Sequence, residues 1–271
     1  MGSDRRWHVV LPVKGGTGAK SRLSPVPDRA GLATAMALDC LDAVLSTPEV
    51  VGALVVTDDG DVAAAARDLG AHVVGAGVPG LGPAVAAGLA AAPHGPVAVL
   101  LADLPALRPD DLDVGLDAVS RALDDGAGWA FVPDAEGTGT VLLAADGAST
   151  LSPAFGPGSA AAHELLGARR LDVDVPRLRR DVDTASTLGQ AVTLGLGTRT
   201  RRSLDGVQAT VLTFDPGSGS GAVVTDDGVR LVMPAEALDG SGLRHLRPGQ
   251  RVTCLRDGDA VSDVRIVGVS G

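Results

Sequence analysis

Pro96-Val97-Ala98-Val99-Leu100-Leu101-Ala102-Asp103-Leu104-Pro105 is the stretch whose reading decides the fold. Six apolar residues in a row, Val97–Ala102, sit between a proline and an aspartate, with no polar residue to mark a solvent face. Such a strand is buried on both sides, as strands are in parallel sheets covered by helices. The flanks agree. Upstream, Trp7–Val13, Gly52–Thr57 and Ala71–Gly75 read as strands. They are separated by the helical segments Ala30–Leu45 and Val62–Leu69, the latter closed by Gly70. Pro83–Ala92 reads as a helix with Pro83 in its first turn. Downstream come a helix at Asp110–Leu123 and strands at Trp129–Pro133 and Thr140–Ala144. Alternation of this kind predicts an α/β domain with a mostly parallel sheet and helices on both faces. Ligands of such sheets bind outside the carboxyl ends of the strands.

The pattern changes near residue 197. Residues 198–206 carry Thr198, Arg199, Thr200, Arg201, Arg202 and Ser203, a polar basic stretch that reads as a linker. Beyond it, Gln208–Phe214, Gly221–Thr225, Val229–Met233, Arg251–Arg256 and Ala260–Val267 are short strands separated by glycine and aspartate turns. Five strands in so short a span fit a small all-β barrel of the OB type. The expected organisation is thus a domain at 1–197, a linker at 198–206 and a barrel at 207–271.

Composition narrows the function. The chain has 271 residues, 45% of them hydrophobic, and a formal net charge of −10. Affinity for nucleic acid comes mostly from basic side chains neutralising phosphates, so the acidity argues against a coat for DNA or RNA. Five aromatic residues, Trp7, Trp129, Phe131, Phe155 and Phe214, leave little from which to build a base-stacking platform. The two cysteines, Cys40 and Cys254, indicate neither a disulfide framework nor a zinc site. The N-terminus has Asp4, Arg5 and Arg6 before a first apolar run of only Val9–Val13, which does not fit a secretory signal; a cytoplasmic location is expected.

Several stretches can carry chemistry. The first strand runs into Lys14-Gly15-Gly16-Thr17-Gly18-Ala19-Lys20-Ser21-Arg22, which holds both lysines of the chain. A glycine-rich turn lets backbone N–H groups approach phosphate oxygens, and three cations within nine residues can neutralise a triphosphate. The spacing is not that of a P-loop, and a solvated surface turn is the plain alternative. Asp103, at the carboxyl end of a central strand, faces the expected ligand crevice, where magnesium on nucleotide phosphates would sit. The alternative for it is a turn or helix-cap role, for which Asp110 and Asp111 are better placed. In Asp181-Val182-Asp183-Thr184 an extended backbone sets two carboxylates on one face, roughly 7 Å apart, suited to metal. Asp183 or Thr184 can equally cap the helix starting near Ala185. Gly137-Thr138-Gly139-Thr140 and Phe155-Gly156-Pro157-Gly158-Ser159-Ala160 are hydroxyl-bearing glycine loops able to bind an anion, or merely to reverse the chain. The histidines His8, His72, His94, His163 and His245 show no metal-ligand spacing, with His163 placed on the helix after Ser159.

In order, these motifs resemble the phospholactate/phosphoenolpyruvate guanylyltransferase family of deazaflavin coenzyme (F420) biosynthesis. The matching pieces are Leu11-Pro-Val-Lys14 with Ala19-Lys20-Ser21-Arg22-Leu23, then Ala102-Asp103-Leu104-Pro105-Ala106-Leu107. Gly137–Thr140, Phe155–Ala160 with His163, and Asp181–Thr184 follow, over roughly residues 7–195. The resemblance implies a Rossmann-like nucleotidyltransferase three-layer sandwich. It implies that Lys14, Lys20 and Arg22 act on the triphosphate of GTP, with Gly15, Gly80 and Gly82 also at the nucleotide. It implies that Asp103, Asp181 and Asp183 bind Mg2+, and that Thr140, Gly156 and Ser159 hold the phosphate of a small phosphorylated carboxylic acid. Gly82 stands where the family usually carries asparagine, so this position has no side chain with which to read a base. Phosphoenolpyruvate is the expected acceptor. 2-Phospho-L-lactate is the runner-up, and a molybdopterin-guanylyltransferase-like enzyme or a nucleotide-sensing, nucleic-acid-binding regulator are the other readings.

Thr210-Val-Leu-Thr-Phe214, Gly219–Val224, Asp226-Asp-Gly228 and Arg247-Pro-Gly-Gln250 resemble, in order, a cold-shock domain. The two stretches that carry RNA-stacking aromatics in that module read Gly221-Ala222-Val223-Val224 and Leu231-Val232-Met233-Pro234 here. A barrel kept for packing, for contact in a homo-oligomer or for regulation is expected rather than an RNA reader.

Overall fold

A computed structural model of the chain describes residues 5–14, 29–239, 241, 243–257 and 259–266. It divides into two compact units, Met1–Thr200 and Arg201–Gly271. Gly15, Lys20 and Arg22, together with most of the glycine-rich turn, lie outside the described residues.

The first unit runs β1 (Trp7–Pro12), α1 (Arg29–Leu45), β2 (Val50–Val56), α2 (Gly60–Asp68), β3 (His72–Val74) and α3 (Leu81–Ala91). It continues with β4 (Val97–Leu100), α4 (Pro109–Asp124), β5 (Ala130–Pro133), β6 (Thr140–Ala145), α5 (Ser159–Leu165) and β7 (Arg169–Arg170), and ends with α6 (Pro176–Arg179) and α7 (Ala185–Leu194). The sheet order is β3-β2-β1-β4-β6-β5-β7. β6 is antiparallel to both its neighbours, β4 and β5, while the remaining pairs are parallel.

Period-two alternation sorts the strand side chains into two cores. Val9, Leu11, Ala98, Leu100, Leu142 and Ala144 face one side, against Cys40 and Val44 of α1, Val62 of α2 and Leu116 of α4. Val10, Val97, Val99, Leu143 and Ala145 face the other, against Val85 of α3 and Ala160 of α5. This is the three-layer arrangement expected, and Val97–Leu100 are all fully buried. Helix α3 lies so close to the sheet that a Cβ on Gly88 would collide with Val10 and Val56.

The stretch expected as a linker begins with a helix, α8 (Thr198–Asp205), whose first three residues belong to the first unit. Its start is held by Asp39 of α1, only 8% exposed, whose carboxylate accepts the backbone N–H groups of Arg199 at 3.0 Å and Thr200 at 2.7 Å. A side chain that satisfies first-turn donors stabilises a helix start, here from 160 residues away.

The second unit is a closed barrel of β8 (Gly206–Phe214), β9 (Gly221–Thr225), β10 (Arg230–Met233), β11 (Arg251–Asp257) and β12 (Ala260–Ile266) in the order β10-β12-β11-β8-β9. The parallel pair β10–β12 completes the ring, and Val211, Val223, Leu231, Met233, Val252 and Val264 fill it. The five strands agree with those read from the sequence to within two residues at each described end. Among the described residues, no helix is long and apolar enough to cross a membrane.

Candidate active site

The carboxyl ends of β1 and β4 and the start of β6 open onto a cleft of about 730 Å³. The reversed direction of β6 brings Thr140 to the same edge as Asp103, since Leu100 pairs with Leu142 and the Leu101 amide donates to Val141. The lining includes Lys14, Asp103, Asp134, Thr140, Gly156, Ser159, Asp181 and Asp183. All six described site residues expected at the metal and the acceptor therefore share one cleft with Lys14. On the proposed nucleotide side, Leu81 reaches the lining, while its neighbours Gly80 and Gly82 do not.

Main-chain pairing lays the three expected metal ligands along one side of the cleft, although among the described residues the close three-acid group contains only Asp181 of them. Asp103 follows β4, and its carbonyl accepts the N–H of Val182 at 3.0 Å, which lays the segment Asp181–Asp183 alongside it. Val182 itself is fully buried, so its two flanking aspartates are anchored. Thr184, not Asp183, caps α7, accepting from the Thr187 amide at 3.2 Å, while the Thr187 hydroxyl accepts from the Asp183 amide at 3.1 Å. Asp183 thus keeps its carboxylate out of the capping role. Asp111 reaches back to the Arg108 amide at 3.0 Å at the start of α4, the local duty for which Asp110 and Asp111 were better placed than Asp103.

Burial, then the charges of Asp103, Asp183, Asp134 and Glu136, push the Asp181 carboxyl up to about 7. This surplus of carboxylate oxygens, from half-buried Asp103 and Asp181 to exposed Asp183, is the donor chemistry of a hard divalent cation, and the residues fit one on that ground. Beneath the site, the Cys40 thiol donates to the Leu101 carbonyl at 3.7 Å. Burial and the nearby Asp103 charge raise its pKa, so it stays a neutral thiol.

Two acidic residues in this cluster were not among the sequence candidates. Ligand oxygens of Asp134, Glu136 and Asp181 lie within 4.8 Å of one another, the tightest carboxylate triad among the described residues. Asp134 and Glu136 already have structural partners. The Asp134 carboxylate accepts from the amides of Thr138 and Gly139, both at 2.8 Å, and Glu136 pairs with Arg180 at 2.6 Å. Asp134 therefore locks the β5–β6 turn that delivers Thr140. The proline ending β5 hides that role in the sequence, since an aspartate after a strand usually signals only a turn.

Across the cleft, Phe155–Ser159 forms a loop in which Gly156 and Gly158 have φ of 142° and 74°, values that side chains other than glycine rarely adopt. The Ser159 amide donates to the Gly156 carbonyl at 3.1 Å, and the next amide, Ala160, donates to Thr138. These bonds hold Ser159, 2% exposed, beside the hairpin turn that precedes Thr140.

The chain is similar to known proteins over the sheet domain. A family model described as "Guanylyl transferase CofC like" matches residues 7–225, which spans the sheet domain and ends within the barrel. A Salinispora arenicola protein named phosphoenolpyruvate guanylyltransferase is 50% identical over 198 residues, covering 72% of this chain and 91% of the relative. Proteins of the same name from Geodermatophilus obscurus and Streptomyces coelicolor are 45% and 46% identical, covering 74% and 72% of this chain and 95% and 94% of theirs. With a family model matched over most of its length and relatives at this identity and coverage, the chain belongs to the CofC-like guanylyl transferase family.

Proposed function

We propose that the protein transfers GMP from GTP to the phosphate of phosphoenolpyruvate, releasing pyrophosphate and giving enolpyruvyl-diphospho-guanosine, a step of F420 biosynthesis. The observation that carries this reading is the single cleft in which Asp103, Asp181 and Asp183 face Thr140, Gly156 and Ser159 across a space flanked by Lys14. The name of the relatives, at 42–50% identity, supports the choice of acceptor.

The chemistry follows from charge. The acceptor phosphate is already ionised, so no general base is required. One of its oxygens forms the new bond to the α-phosphorus of GTP, and the bond from that phosphorus to the bridging oxygen breaks, leaving pyrophosphate. Lys14, which lines the cleft, would neutralise the departing charge, with Lys20 and Arg22 assigned to that role from their sequence motif. Thr140, Ser159 and the backbone around Gly156 orient the acceptor. Mg2+ held by Asp103, Asp181 and Asp183 would supply the positive charge that allows two polyanions to meet in an acidic cleft. Positioning and electrostatic stabilisation do the rest.

The test is pyrophosphate release with GTP, ATP or CTP crossed with phosphoenolpyruvate, 2-phospho-L-lactate and 3-phosphoglycerate, with and without Mg2+. Release confined to GTP with phosphoenolpyruvate and dependent on the metal is expected. A preference for phospholactate would reassign the acceptor, and no release with any pair would overturn the enzymatic reading.

A further inference from the structure

His163 lies within α5, fully buried, its ring packed by Trp129 at 5.8 Å, Phe131 at 5.6 Å and Phe155 at 5.3 Å between centroids. Three of the five aromatic residues of the chain thus surround one histidine. Both ring nitrogens are nevertheless engaged. Nε2 lies 2.9 Å from the backbone nitrogen of Ala154, and Nδ1 lies 2.8 Å from Oγ1 of Thr140. An amide nitrogen only donates, so Nε2 must accept and the single ring proton belongs on Nδ1. Burial also holds the ring pKa down, to about 4, so a second proton is absent near neutrality.

The consequence falls on Thr140. Nδ1–H donates to its oxygen, so the hydroxyl hydrogen must point away from the ring. Among the described residues no other group is hydrogen-bonded to that oxygen. We propose that His163 is a positioning residue that commits the Thr140 hydroxyl to donate to the phosphate of the acceptor, and that ties the 155–159 loop to the same frame through Ala154. A phosphate oxygen only accepts, so a hydroxyl free to turn would spend part of its time offering it a lone pair. The inference rests on the reading above that Thr140 touches the acceptor phosphate.

The experiment measures KM for phosphoenolpyruvate and for GTP by pyrophosphate release in Thr140→Val, His163→Phe, His163→Asn and the double variant Thr140→Val/His163→Phe. Thr140→Val and His163→Phe should each raise the phosphoenolpyruvate KM roughly tenfold, as expected for a lost hydrogen bond to a charged group, with the GTP KM within about twofold. His163→Asn, whose amide can donate to Thr140, should recover most of the loss. The double variant should be no worse than Thr140→Val alone. An equal further loss in that background would mean His163 acts independently of Thr140 and overturns the proposal, as would an unchanged KM in His163→Phe beside a raised one in Thr140→Val. An unchanged KM in Thr140→Val would instead sink the acceptor-site reading, and this inference with it. Nitrogen-15 NMR of the intact protein at pH 7 reads the ring directly and does not depend on activity or on the Phe variant folding. A protonated Nδ1 with a bare Nε2 is expected, and the opposite tautomer overturns the proposal.

Discussion

The N–H of Val182 donates to the carbonyl of Asp103 at 3.0 Å, and this one backbone bond makes neighbours of carboxylates that lie far apart in the chain. Asp181 and Asp183 flank the donor, so the main chain sets all three acids beside one another. Replacing Asp183 or Asp181 by asparagine keeps the shape and removes one negative charge. Turnover in either variant should fall by orders of magnitude while circular dichroism stays that of the folded protein. For Asp181→Asn, thermal unfolding in metal-free buffer should occur at no lower temperature than in the parent, because a half-buried, repelled charge has been removed. Near-normal turnover in both variants would end the metal assignment.

Asp39 predicts a second outcome. Its carboxylate satisfies the amides of Arg199 and Thr200, and Thr200 is fully buried. Asp39→Ala leaves a buried donor without a partner and removes a helix cap, at a cost of about 2 kcal/mol. Chemical denaturation of the first unit should show that loss, with kcat per folded molecule unchanged. A stability equal to the parent's would show that water replaces the carboxylate without cost.

Gly88 tests the packing that sets α3 in place. A methyl group there meets Val10 and Val56, so Gly88→Ala must push the helix off the sheet. Overpacking of this kind costs about 1–3 kcal/mol. The opening residue of α3, Leu81, lines the cleft, so the KM for GTP should rise together with the loss of stability. A rise in the acceptor KM alone would contradict this placement.

His163 also makes stability depend on pH. Its neighbours are Trp129, Phe131, Phe155, Thr140 and the Ala154 backbone, none of which titrates, so burial alone depresses the ring pKa to about 4. The unfolded chain takes up the proton near 6.5 and the folded one does not. The stabilisation is therefore complete above 6.5 and declines as pH falls toward about 4, with a limiting slope of about 1.4 kcal/mol per pH unit. Denaturant midpoints of the parent and His163→Phe over pH 4–7 should diverge with that sign. Parallel curves would mean the ring is not buried as a neutral group.

What the sequence made legible is what local pattern encodes. The unbroken apolar run Val97–Ala102 announced a doubly buried strand, and the barrel strands showed their alternation between glycine turns. The candidate site was legible as separate motifs: Asp103 by its place after a strand, Asp181 and Asp183 by their spacing, Thr140 and Ser159 by their glycine neighbours. What stayed hidden depends on partners distant in the chain. Residues 198–205 look like a linker because they are polar and basic, and they start as a helix on a carboxylate 160 residues upstream. His163 lacks any metal spacing, since its role comes from Thr140 and Ala154 rather than from other ligands. Asp134 carries no signal of its own in the sequence, and its closeness to Asp181 appears only when β5 and the segment after α6 are folded together.

The reversal of β6 carries a consequence for how such a cleft can change. Thr140 enters the cleft as the first residue of a strand, delivered by a hairpin turn, whereas Asp103 leaves a strand on its way to a helix. The side bearing Thr140 can thus be rebuilt by altering the turn at 134–139, and the side bearing Lys14 by altering a strand-to-helix crossover. The two are joined where Asp134 and Glu136 of that turn lie beside Asp181, so a cleft drifting toward a new small molecule has to keep those two acids in place while the rest of the turn changes.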